Sequence, residues 1–330
     1  MNRPSGISDT RTGAAEGSEP STRTSVVRGV AALQAELAPA RASGASIGLV
    51  PTMGAFHDGH LSLMRRARSQ CDVVVVSLFV NPGQFGENED LGSYPRDEER
   101  DLELARGEGV DIVFIPPFEE VYPAGFATTV EVAGLSETLC GAPGSRGAEH
   151  FRSVATVVTK LLNMCGPDVA YFGAKDYQQA LIVKRAVRDL DIPVRIEVCP
   201  IVRAPDGLAL SSRNAYLTPE ERRRALALSR ALDAARQAVA HGADRAEQVV
   251  DAARGELDVP GVEVEYLELR SASDLSPVDR LGRDQILLAI AARVGRARLI
   301  DNAVIEPKAL SASTAPDYLA NTKEARSIQC

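Results

Sequence analysis

The sequence predicts an α/β protein, a doubly wound parallel sheet followed by a smaller α+β unit. Three observations support this: apolar runs of strand length recur with helical stretches between them, the runs are apolar at successive positions, and the pattern changes after Pro200. Strands that are apolar throughout are expected where helices cover both faces of a parallel sheet. With 330 residues, 45% hydrophobic and 25% charged, the chain can bury two cores.

The elements follow in order. Residues 47–51 form an apolar strand that runs into Thr52, Met53 and Gly54; a helical stretch covers about 59–69, and a second apolar strand covers 73–80. These make a βαβ unit. An acidic helix over 96–107 precedes a strand at 111–115, a helix over 151–164 leads to a strand at 169–172, and a helix over 177–190 leads to one at 194–198. Beyond Pro200, Pro205-Asp-Gly207 signals a turn between short extended pieces. Thr218 can cap the helix that follows, Pro219 suits its first position, Glu221 completes a capping box and Gly242 can end it. Strand-like stretches at 262–269 and 286–300 complete the smaller unit. This divides the chain into a first domain over 25–201 and a second over 202–306. Residues 1–24 and 307–330 lack hydrophobic periodicity and read as disordered or flexible tails.

Composition narrows the function. No run reaches the length needed to cross a bilayer, and the first 25 residues mix Arg3, Arg11 and Arg23 with Asp9, Glu16 and Glu19, so no membrane segment or signal peptide is expected. A formal net charge of −8, from 37 basic and 45 acidic side chains, argues against bulk nucleic-acid binding. A polyanionic ligand would need a local basic pocket. The cysteines, Cys71, Cys140, Cys165, Cys199 and Cys330, are odd in number and form no Cys-x-x-Cys pair. That suits reduced thiols in a cytoplasm, with neither a structural zinc nor a disulfide framework.

The stretch Pro51-Thr-Met-Gly-Ala-Phe-His57-Asp-Gly-His60 sets two of four histidines three apart where a strand hands over to a helix. Both rings then fall on one side of the first turn, at a positive helix end, with Gly54 and Gly59 allowing close backbone approach. Phosphate is the expected ligand. The structural alternative is that His57 caps the helix and His60 is a satisfied buried group; a metal would need a third ligand that is not nearby. Asn81 and Gln84 follow the second strand at the carboxyl edge, where ligands bind in open α/β sheets, although Asn81-Pro-Gly can also be a plain turn. Their amides suit a hydroxy acid. In Phe172-Gly-Ala-Lys175-Asp176-Tyr-Gln-Gln179 a strand end is again followed by a lysine before a helix. Lys175 could hold phosphate, Asp176 a ribose and Gln179 the same pocket, against the plainer reading of a surface lysine beside a capping acid. Ser211-Ser212-Arg213 offers two hydroxyls and a planar cation in one loop, although the serines could simply be capping residues before the long helix, a role Thr218 already fills.

Together these clusters resemble the pantoate–β-alanine ligase (pantothenate synthetase) family of the nucleotidylyltransferase superfamily, over about residues 47–305. The matching motifs are Pro51-Thr-Met-Gly, Phe79-Val-Asn-Pro-x-Gln-Phe, Tyr94-Pro-Arg, Val154-Ala-Thr-Val-Val-Thr-Lys, Gly173-x-Lys-Asp-Tyr-Gln-Gln and Ser211-Ser-Arg-Asn. The resemblance implies a Rossmann-like first domain, a second domain that closes over the site, a homodimer, and Mg²⁺ with ATP as cosubstrate. The implied reaction joins pantoate to β-alanine through a pantoyl adenylate, releasing pyrophosphate and AMP. It makes His57, His60, Lys175 and Arg213 the catalytic set. ATP would also meet Pro51, Thr52, Met53, Gly54, Gly173, Asp176, Val202, Leu210, Ser211 and Ser212. Pantoate would meet Met53, Asn81, Gln84 and Gln179, with Gln84 also serving β-alanine and no protein side chain assigned to the metal. Departures are Gly83 for Met, Leu210 for Met, Asp58 for Glu and Ser153 for Gly. The altered segment 139–151 leaves Arg146 and His150 unassigned. The absent side chain at Gly83 is expected to leave room beside the apolar part of pantoate.

Overall fold

A computed structural model describes residues 24–86 and 90–307; nearly all of both expected tails lies outside these. Among them, β1 (Ser25–Val27), β2 (Ile47–Thr52), β3 (Val73–Leu78), β4 (Ile112–Phe114), β5 (Val169–Gly173) and β6 (Arg195–Cys199) form one sheet in the order β1-β4-β3-β2-β5-β6. Every pairing in it is parallel. Strand alternation sorts the side chains onto two faces: Ile47, Leu49, Val75, Ile112, Phe114, Ala170 and Phe172 join one core, while Val50, Val74, Val76, Val113, Val169 and Tyr171 join the other. The first core is covered by α1 (Val30–Ser43), α5 (Ala148–Cys165) and α6 (Tyr177–Asp189), the second by α2 (Asp58–Arg68) and α3 (Glu98–Gly107). A single turn, α4 (Phe118–Val121), closes the β4 end.

After β2 the chain moves outward through β3 to β4, then returns to lay β5 on the other side of β2. The carboxyl ends of β2 and β5 therefore flank a topological switch point, where a crevice opens.

The second unit packs α7 (Pro219–Ala240) and α8 (Ala246–Leu257) on an antiparallel sheet of β7 (Val262–Ser271), β8 (Ile286–Val294) and β9 (Ala297–Ile305). The opposite face of that sheet sends Leu287 and Ala289 into the core beneath α5 and α6, so the two units share packed surface. Thr218 and Glu221 form the expected reciprocal cap of α7, and Gly242, at φ 98°, lies two residues beyond its end. The single strand expected over 286–300 is instead a hairpin: Gly295, at φ 57°, turns the chain between β8 and β9. β1, α1 and α8 are further elements that the hydrophobic pattern does not mark.

Candidate active site

His57 is the N-cap of α2. Its Nδ1 accepts the Gly59 N–H at 3.1 Å, and His60 Nδ1 accepts the His57 N–H at a long 3.4 Å. A nitrogen that accepts is unprotonated, so each neutral ring carries its proton on Nε2. The ring centroids are 4.2 Å apart, and both residues line a cavity of about 220 Å³ at the carboxyl edge. The capping role and the cavity role thus coexist on opposite sides of each ring. Burial is the main force keeping them neutral. It lowers His57 to about 4, with help from the Lys175 cation, and His60 to about 3, with help from His57 and Lys175.

The loop before α2 is braced from α3. Asp101, 2% exposed, accepts the Ala55 N–H at 2.8 Å and the Phe56 N–H at 2.7 Å. Burial raises its pKa, which those two hydrogen bonds oppose. Gly54 sits at φ 88°, and a Cβ there would stand 2.9 Å from the Asp101 carboxylate, so the close loop–carboxylate contact requires glycine. Asp101 lay hidden in the sequence among the acids of an amphipathic helix.

Lys175 is on a 3-10 turn between β5 and α6, with its ammonium 3.8 Å from the Asp176 carboxylate. Ser211 caps a second 3-10 turn, Ser212–Tyr216, by accepting the Arg213 N–H at 3.3 Å. Lys175, Asp176, Gly173, Gln179, Ser211, Ser212 and Arg213 line the cavity together with Pro51, Thr52, Met53, Gln84, Val202 and Leu210. Two cations thus face one carboxylate in a protein of net charge −8. This is the local basic pocket that an anionic ligand needs.

Two expected site residues are not among those lining this cavity. Gly54 shapes the loop behind it. Asn81, 1% exposed, turns its amide to Ser153 Oγ at 3.0 Å and accepts from Tyr122 Oη at 3.1 Å, beside a separate cavity lined by Pro82, Gly83 and Phe118. Gly83 lines that cavity too. A Cβ at Gly83 would stand 2.3 Å from Ser153 Oγ, which corrects the expectation of open space there. Asn81 and Gly83 are thus spent on the contact between this turn and α5.

Three further residues support the site. His150 Nδ1 donates to the Gln84 carbonyl at 2.8 Å, while its Nε2 faces Arg146 Nη1 at 3.3 Å. Burial, followed by the Arg146 charge, lowers His150 to about 3. Arg146 and His150 lie in a smaller pocket that shares Lys175, Asp176, Gln179, Ser211 and Arg213 with the main cavity. Gln178, next to the cavity-lining Gln179, is buried and donates to the Leu135 and Thr138 carbonyls at 2.7 and 2.6 Å.

The family model described as pantoate-beta-alanine ligase matches residues 25–304. A pantothenate synthetase from Moorella thermoacetica is 55% identical over 280 residues, covering 84% of this chain and 97% of that one. Another from Paramagnetospirillum magneticum is 52% identical, covering 87% and 100%. Among solved structures, the Thermus thermophilus pantothenate synthetase superposes with a TM-score of 0.80 at 46% identity, covering 86% of this chain and all of that one. A pantoate-beta-alanine ligase from Francisella tularensis, complexed with beta-gamma ATP and beta-alanine, gives 0.68 at 31% identity, covering 86% and 98%. By sequence over nearly all of its described length, and by fold, this chain is a member of the pantoate-beta-alanine ligase family.

Proposed function

We propose that this enzyme condenses pantoate with β-alanine, using ATP and passing through a pantoyl adenylate. The observation that carries the reading is one crevice holding two neutral, Nε2-protonated imidazoles, the cations Lys175 and Arg213, and the amides of Gln84 and Gln179. In the first step the pantoate carboxylate attacks the α-phosphorus and the bond to the bridging oxygen breaks, so negative charge grows on departing pyrophosphate. His57, His60, Lys175, Ser211, Ser212 and Arg213 are the donors that meet that charge, and Asp176 with Gly173 meets the ribose. Donors fixed beforehand lower the barrier because nothing need reorganise as charge develops. Met53, Gln84 and Gln179 hold pantoate. In the second step the β-alanine amine, guided by Gln84, attacks the acyl carbon, and AMP leaves with the C–O bond electrons.

Among the described residues no group of three His, Cys, Asp or Glu side chains could hold a metal ion. A Mg²⁺ carried on the nucleotide phosphates and water, with no protein side chain as its ligand, fits this lining and would neutralise phosphate charge. Residues 25–201 form the nucleotide and pantoate domain and 202–306 the closing domain. A homodimer in the cytoplasm completes the reading; the reducing compartment is supported by four buried free thiols among the described residues.

The test is isotope exchange. Labelled pyrophosphate should enter ATP when pantoate and Mg²⁺ are present and β-alanine is absent. Exchange that ignores pantoate, or amide synthesis with no exchange, would overturn the two-step reading. A nucleotide sensor would show neither.

A further inference from the structure

The two phosphate-facing arms, the Lys175 turn and the Ser211–Arg213 loop, come from different parts of the chain, and something must fix their separation. Adjacent residues on β9 reach both. Asn302, 5% exposed, donates its amide hydrogens to the Ala174 carbonyl at 3.0 Å and the Lys175 carbonyl at 2.8 Å. Those carbonyls belong to the 3-10 turn that ends where α6 begins, so β9 ties the backbone of the Lys175 turn to the sheet of the second unit.

Asp301, 3% exposed, accepts from the two terminal guanidinium nitrogens of Arg203, at 2.6 and 2.8 Å. Arg203 also donates to the Gly207 carbonyl at 3.1 Å, and the Leu210 N–H pairs with the Val202 carbonyl at 3.0 Å. That ladder leads straight into Ser211. Consecutive residues of a strand point to opposite faces. Asn302 pairs with Ala289, whose side chain lies in the core beneath α5 and α6, and Asp301 pairs with Ile290, whose side chain lies in the core under α7 and α8. One dipeptide can therefore grip an arm on each side of the sheet.

We propose that Asn302 and Asp301 are positioning residues for the first half-reaction: Asn302 sets Lys175, and Asp301, through Arg203, sets the loop that carries Arg213. The inference rests on the assignment of Lys175 and Arg213 to the phosphates. A small displacement of a charged donor weakens a developing-charge contact more than ground-state binding. The signature is therefore a fall in kcat larger than the rise in KM for ATP.

The experiment is a pair of double-mutant cycles read by pantoate-dependent exchange. Asn302→Asp keeps the shape and removes both donors; it should lower kcat/KM for ATP about 10-fold to 100-fold alone, and less than about threefold in a Lys175→Ala background. Asp301→Asn should be non-additive with Arg213→Ala and additive with Lys175→Ala. If Asn302→Asp does not fold, Asn302→Ala carries the same expectation without a buried charge. Full activity of Lys175→Ala would reject the phosphate assignment itself. A deleterious Lys175→Ala combined with additive loss from the Asn302 variant, or with none, would reject the brace alone.

Discussion

At His57 one ring serves two purposes, and a substitution can separate them. Asparagine at an N-cap still accepts a backbone N–H but offers nothing in place of Nε2–H in the cavity. His57→Asn should therefore keep its unfolding midpoint and lose exchange about 100-fold to 1,000-fold, whereas His57→Ala should lose the same activity and about 1 kcal/mol of stability as well. Urea denaturation and exchange on both variants make the comparison. Wild-type exchange in His57→Asn would leave His57 as a cap only. The histidine pair was legible in sequence because a strand end, two glycines and a three-residue spacing coincide. Asp101 and Asn302 were not: a buried carboxylate in an acidic helix and an amide in a strand look like solvated surface until their partners, 45 and 128 residues away, are placed beside them.

Elements meet at the turn that carries Gly83 and the α5 position that carries Ser153. Gly83→Met drives its Cβ into Ser153 Oγ, so it should destabilise the fold by about 1–3 kcal/mol, and Ser153→Gly in the same chain should relieve much of that. Thermal unfolding of the single and double variants checks this; a stable Gly83→Met with tighter pantoate binding would restore the open-space idea. At the other loop, Asp101→Asn replaces one of two acceptors by a donor, leaving a buried N–H unpaired. A loss of about 1–3 kcal/mol is expected, with a raised KM for ATP because the Gly54–Phe56 backbone loosens. An unchanged melting curve together with unchanged KM would remove Asp101 from its bracing role. The strand and helix pattern of 47–198 was legible because both faces of the sheet are covered. β1 escaped because three residues carry too little pattern, and α1 because Pro39 interrupts its helical reading.

For the molecule as a whole, three half-buried histidines set the acid limit. His57, His60 and His150 are held near 4, 3 and 3, below the ordinary 6.5. The unfolded chain takes up their protons from pH 6.5 downward while the folded one does not, so stability is full above 6.5 and falls as pH drops toward 4. The slope contributed by each is at most about 1.4 kcal/mol per pH unit. Melting temperatures measured from pH 7.5 to 4.5 should be level above 6.5 and decline below it, less steeply in His60→Gln. A level profile throughout, or an equal decline in that variant, would contradict the three depressed values.

The pairing of β2 with β5 has a consequence for synthesis. Gly48 lies beside Val169, and Leu49 beside Ala170, so strands 121 residues apart are neighbours. As the chain leaves the ribosome, β2, β3 and β4 can pair with one another and carry His57, His60 and Gln84 into place early. The Lys175 arm arrives with β5 and the Arg213 arm later still. The dipeptide that touches both is on β9, the last strand among the described residues to be made. A nascent chain should therefore gain nucleotide-independent protease resistance in its first half well before it can turn over ATP, and a chain stopped between β8 and β9 should retain the imidazoles but not a fixed distance between the two cations.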